Sequence, residues 1–170
     1  YNSLNPASTG VGLVAMGVSS LSANTTGSYL TAIGNDALNK NTTGSQNTAI
    51  GTAAMFNNTS GSDNTAIGYE ALYRNTTGYS NFAGGYHSLF SNTIGGGNIG
   101  IGHEALTLNT TGNSNIALGY ESLKNNTTAY SNIGIGFQTL FSATTGGGNV
   151  ALEAEALKRN TVGRDNIAFG

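Results

Sequence analysis

Residues 64–80 read NTAIGYEALYRNTTGYS. The seventeen residues before them read NTAIGTAAMFNNTSGSD, and residues 98–114 read NIGIGHEALTLNTTGNS. Fixing the register on Leu4 brings an apolar residue back at every seventeenth position: Leu4, Leu21, Leu38, Met55, Leu72, Leu89, Leu106, Leu123, Leu140 and Leu157. A glycine column runs from Gly17 to Gly170 with Glu153 as its one interruption, and an Ala/Gly column runs unbroken from Ala15 to Ala168. Asn fills one column from Asn47 to Asn166 and a second from Asn24 to Asn126, reappearing at Asn160. Ten copies of 17 account for all 170 residues, with no insertion or deletion. Loops of a globular domain tolerate changes of length. A constant step means that each copy stacks on the next in one geometry, so the pattern predicts a solenoid.

Seventeen residues are too few for the helix pairs of the familiar helical arrays, which take roughly 33 or more. The segment NTAIGY alternates, with Thr65, Ile67 and Tyr69 on one face and Asn64, Ala66 and Gly68 on the other. Thr, Ile and Val suit a strand. NTTG is turn chemistry, since Asn tolerates the left-handed region and Gly supplies positive φ. YEALY is compatible with a second strand or a single helical turn. The fold class predicted is therefore all-β: a parallel β-solenoid of ten 17-residue coils, one repeat domain over residues 1–170, read as a segment of a longer fibre. Strands stacked at ~4.8 Å give a rod ~48 Å long.

Stacking turns columns into ladders. Leu above Leu makes an apolar spine, with Leu106 inside and the next residue, Thr107, expected to face water. Asn above Asn lets each amide donate to the next. Like charges stacked at this spacing repel. Charged residues make up only 8% of the chain, against roughly 25% in ordinary domains. Glu70, His87, Glu104 and Glu121 nevertheless share a column, and their side chains are expected in solvent. The pattern leaves open which strand face is inside. If Ala and Gly line the interior, the Ile67, Ile101 and Ile135 face needs a neighbouring chain; if Ile and Leu share the interior, one chain suffices.

The phrase NTAIGYxAL resembles the repeats of trimeric autotransporter adhesin heads of the YadA type, and arrays of the kind NTAIGYxALxxNTTG resemble those of bacteriophage tail-fibre and related surface-fibre proteins. The resemblance covers the whole chain. It implies a parallel β-roll, a homotrimer, and a role as shaft or adhesive head at a cell surface or on a virion. Repeats of the adhesin heads are shorter than 17, so YRNTTG carries the additional residues.

Nothing in the sequence converges on catalysis, which needs unlike groups in a cleft, and no enzyme activity or cofactor is expected. With a formal net charge of -2 there is no nucleic-acid footprint, and no apolar run approaches the ~18 residues of a membrane span. The absence of cysteine excludes disulfides. His87 and His103, with Glu70, Glu104 and Glu121, are weighed as a metal site and read instead as a surface ladder. GGGN at residues 95–98 and 146–149 lacks the Lys of a phosphate loop and reads as tight corners. Tyr69, Tyr86, Tyr120 and Phe137 share a column and are candidate ligand-facing aromatics, for surface glycans as the alternative function. Asn24, Asn41, Asn58, Asn75, Asn109 and Asn126 each precede Thr-Thr or Thr-Ser and are candidate N-glycan acceptors; Asn57 and Asn125 also fit. The competing reading of NTTG is turn chemistry alone. Ice binding is weaker still, because adjacent threonines in a strand point to opposite faces. The expected function is a structural shaft of an extracellular or virion fibre, self-associating as a homotrimer or as a head-to-tail filament.

Overall fold

The computed structural model describes residues 3–170. Ten short strands, one per copy, form one parallel sheet in sequence order. They are β1 (Leu13–Met16), β2 (Leu30–Ile33), β3 (Thr48–Ile50), β4 (Thr65–Ile67), β5 (Phe82–Gly84), β6 (Ile99–Ile101), β7 (Ile116–Leu118), β8 (Ile133–Ile135), β9 (Val150–Leu152) and β10 (Ile167–Phe169). Each strand pairs in register with the residues seventeen positions on, as Ala66 does with Ala49 and Ala83. No helix occurs among the described residues. The chain is a β-solenoid, as the indel-free period predicts.

The register resolves the open choice of strand face. Asn64 and Ala66 are fully buried, while Ile67 is exposed. Alanine wins the interior because the coil is thin: the Leu column already fills its centre, and a second row of large side chains has nowhere to go. Leu21, Leu38, Met55, Leu72, Leu89, Leu106, Leu123 and Leu140 are all fully buried, with Ala of the strand and Ala71, Ala105 and their equivalents packed against them. Thr107 does not face water as expected. It is 9% exposed, and its Oγ1 donates to His87 O at 3.2 Å.

The other half of the interior is polar and, apart from Asn126 Oδ1, its side-chain amides are bonded within the coil stack. Asn75 Nδ2 donates to Asn58 Oδ1 at 2.8 Å and to Gly78 O at 3.0 Å. From the strand side, Asn64 Nδ2 reaches the same Gly78 O at 2.9 Å. One carbonyl thus anchors both Asn ladders, coil after coil. A buried polar group costs little when it is fully bonded, so amides can replace hydrocarbon in the core.

The YEALY segment is neither strand nor helix. It is a turn in which Glu70 and Leu72 both take left-handed φ, at 52° each; Ser80, just ahead of β5, is a third such residue at 53°. The same positions repeat in the other coils, including Leu106 at 54° and Leu123 at 53°. Left-handed backbone disfavours a bulky residue; here it aims each Leu inward, and burial of the side chain offsets the cost. Gly68, at φ 135°, has no alternative, because a Cβ there would sit 2.5 Å from Gly85 O. Glu153 takes φ 81° in the same column.

Candidate functional site

Three surfaces lie along the rod, the first over all its strands and the other two over its middle coils. The first is the outward face of the sheet. Its two columns are Val14, Thr31, Thr48, Thr65, Phe82, Ile99, Ile116, Ile133, Val150, Ile167 and Met16, Ile33, Ile50, Ile67, Gly84, Ile101, Leu118, Ile135, Leu152, Phe169. Neither holds a charge. Ile67, Ile101 and Ile135 are 43%, 42% and 39% exposed. From Phe82 onward both columns are aliphatic or aromatic apart from Gly84, across which the Phe82 ring leans (Cε1 is 3.5 Å from where a Cβ of Gly84 would stand). The Phe82 ring thus covers the place that Gly84 leaves bare.

The second surface borders the first. Tyr69, Tyr86, Tyr120 and Phe137 stand half exposed in one column, joined by His103. The rings stack as one ladder: Tyr69 on Tyr86 with centroids 5.5 Å apart, Tyr86 on His103 at 4.9 Å, His103 on Tyr120 at 5.0 Å, and Tyr120 on Phe137 at 5.5 Å. Interplanar angles stay between 9° and 17°. Inner rings have both faces covered by their neighbours and offer edges and hydroxyls. His103 belongs to this ladder by spacing, a membership legible in the period. A shorter ladder joins Phe56, Tyr73 and Phe90 at 5.4 and 5.2 Å, with Lys40 and Arg74 over its end rings.

The third surface is the acidic column, and the expectation that it lies free in solvent is corrected. Lys124 Nζ sits 2.6 Å from both Glu104 Oε2 and Glu121 Oε1, and Gln138 Nε2 donates to Glu121 Oε2 at 2.5 Å. The Glu121 side chain is 12% exposed. One cation thus cancels the repulsion between two stacked carboxylates. Lys124, through its hydrogen bond first, holds the Glu121 carboxyl below its usual range. Glu104 and then Glu121 hold the Lys124 ammonium above its own. The Tyr69 hydroxyl is likewise pushed up, first by its hydrogen bond to Glu70 and then by that residue's charge. His87 Nε2 lies 2.8 Å from Glu70 Oε2, out of line for a hydrogen bond, with its ring against Tyr86. Lys124 had no signal in the sequence: its partner Glu104 is twenty residues away, a spacing that means contact only once the coil is known. Among the described residues, no three His, Asp or Glu side chains gather as a metal site, and no cavity opens.

The glycan-acceptor candidates Asn24, Asn41, Asn58, Asn75, Asn109 and Asn126 are all fully buried. Their Nδ2 atoms donate within the ladder, as Asn41 does to Asn24 Oδ1 at 2.9 Å and Asn109 to Asn92 Oδ1 at 2.9 Å. The folded coil presents none of these six nitrogens for modification, and the turn reading of NTTG accounts for them. Asn57 and Asn125 are half-buried, and their amides donate to Tyr73 O and Phe141 O.

The fold and these surfaces define a repeat protein of the β-solenoid class. Neither the family models, nor the curated proteins, nor the solved structures give a match to the chain.

Proposed function

We propose that the chain is a structural segment of an extracellular or virion fibre, and that the outward sheet face is the seam along which copies of it associate laterally. The observation that carries this reading is the uncharged, exposed, largely aliphatic face itself. Apolar surface left in water costs ~25 cal/mol per Å², and contiguous exposed patches of this kind mark interaction sites. The resemblance of the repeat to adhesin-head and fibre repeats argues for three chains. Stiffness follows from ladders that bond every coil to the next; tolerance of salt follows from their being amides rather than ions.

Sedimentation equilibrium tests the reading. The expected species is three times the 17.2 kDa chain. Ile101→Lys combined with Ile135→Lys should release monomers whose far-ultraviolet circular dichroism remains that of β-structure. A wild-type chain that stays monomeric at tens of micromolar would sink the proposal.

Adhesion to surface glycans is the second reading, favoured by the half-exposed Tyr and Phe column beside the carboxylates of Glu70 and Glu104. Glycan-array binding that survives Tyr69→Ala and Phe137→Ala, the two ladder ends, would exclude it.

A further inference from the structure

The Asn24–Asn126 ladder lacks its next rung, and a second substitution sits beside the gap. Where the second to eighth copies carry Asn, the ninth (residues 137–153) carries Ala143. Where every other copy carries Gly, the eighth (residues 120–136) carries Ala129. Both alanines are 1% exposed. The two changes belong together. A Cβ on Gly44, Gly61 or Gly78 would stand 2.8 Å from Nδ2 of the Asn fourteen residues on, too close for either to stay. The Ala129 methyl therefore takes the place that an amide at position 143 would need.

The exchange leaves the contact between these two copies short of bonds on one side. Asn126 is fully buried, held by its Nδ2 to Asn109 Oδ1 at 2.8 Å, and its own Oδ1 has no partner. Its second Nδ2 bond, to Ala129 O, is stretched to 3.4 Å, where Asn24 and Asn109 make theirs at 2.9 and 3.1 Å. Three backbone bonds to the ninth copy are each the longest of their columns. They are Asn125 N to Phe141 O at 3.3 Å, Thr127 N to Thr144 O at 3.1 Å and Thr128 N to Thr144 O at 3.5 Å. In the fifth copy Arg74, Thr76 and Thr77 make the same bonds at 3.0, 2.9 and 3.2 Å. The strand side keeps its bonds: β8 and β9 pair in register, Asn149 Nδ2 donates to Asn132 Oδ1 at 3.0 Å, and Asn132 Nδ2 donates to Gly146 O at 2.8 Å.

We infer that this contact is a one-sided hinge built into the rod: the arm 125–128 lifts from the ninth copy while β8 and β9 stay paired. The orphaned oxygen decides the place. A buried acceptor without a donor carries its full desolvation cost in the closed rod and sheds it to water once the arm lifts. Opening here therefore starts from a less stable closed state than at an intact rung, and local openings are drawn from segments of that kind.

Amide hydrogen exchange, followed residue by residue in the full chain and expressed as protection factors, tests the hinge. Asn125, Thr127 and Thr128 should be about 10-fold less protected than Leu108, Thr110 and Thr111, their equivalents one copy earlier. Ile133 of β8, which donates to Asn149 O in the ninth copy, should stay as protected as Ile116. Ala129→Gly combined with Ala143→Asn rebuilds the rung and should erase the difference; Ala143→Asn alone should not, because the methyl still fills the amide's place. Moving the pair to the middle of the rod, as Gly78→Ala with Asn92→Ala, should weaken protection at Arg74, Thr76 and Thr77 by a similar factor. Equal protection of the two wild-type sets overturns the hinge. So does loss of protection at Ile133 equal to that of the arm, which would mean that the whole copy detaches. A rebuilt rung that leaves the arm fast, or a transplanted pair that leaves Arg74, Thr76 and Thr77 slow, overturns it as well. The wild-type comparison decides the matter even where a variant fails to fold.

Discussion

A buried asparagine is ordinarily a cost, and this chain places two in nearly every coil. Within an unbroken ladder each is tolerated because it is bonded on both sides, as Asn75 is to Asn58 and Asn92. Asn75→Ala should therefore cost more than the loss of one side chain suggests: it orphans Asn58 Oδ1 below and removes the acceptor of Asn92 Nδ2 above. Roughly 2–5 kcal/mol is expected from two unmatched buried groups, read as a fall in the thermal midpoint. Asn75→Asp should be at least as damaging, since a buried carboxylate cannot donate. The ion cluster gives a pH signature. Glu121 has its carboxyl depressed below the usual 4.5, so its contribution is present above that pH and lost as pH falls through the folded value. Lys124 is raised above 10.5, so its contribution is present below that pH and lost as pH rises through the folded value. The thermal midpoint should therefore be level between pH 5 and 9 in a pH series and fall on acidification. In Lys124→Met the two carboxylates face each other without a counter-ion, and the acid limb should reverse, with stability gained as they are protonated.

At the scale of the element, the turn that follows each strand carries the strain of the fold. In most coils three non-glycine residues sit in the left-handed region. Two of the three columns are outward, and one already uses glycine at Gly97 and Gly148. Ser131→Gly, in that column and exposed, should raise stability by up to about 1 kcal/mol, measured by the same melt. Legibility in the sequence followed what the period controls. Leu106 inside, Asn above Asn, and ten in-register strands all follow from placing like on like. The inward face of the strand did not, because Thr65–Ile67 and Asn64–Ala66 are each plausible cores until the paired carbonyl of Gly78 is known. The left-handed Leu72 gave no signal at all: packing overrides a preference that local sequence expresses only at Asp63, Gly97 and their equivalents. The aromatic ladder was legible through its spacing, whereas the burial of the NTTG asparagines depended on seeing where the turn puts its amides.

For the whole molecule, stability is a sum over neighbouring coils, and damage should be local. Leu106→Asp introduces an unpaired carboxylate into the spine, and should strip hydrogen-exchange protection from the coils around Leu89 and Leu123 before it reaches coils near either end. Leu108→Asp, two residues on and exposed, should leave protection unchanged; the reverse ranking would mean that the interior has been misassigned. The same nearest-neighbour bonding also makes the rod a reel of chain. Each coil packs 17 residues into ~4.8 Å of axis, yet drawn straight those residues span about 55–60 Å. A load strong enough to peel the end coil should therefore lengthen the tether by about 50 Å and meet the next coil with its ladders still whole. Under an optical trap this predicts a train of near-equal contour-length steps, so that a rod ~48 Å long can yield by about ten times its length before its last coil opens.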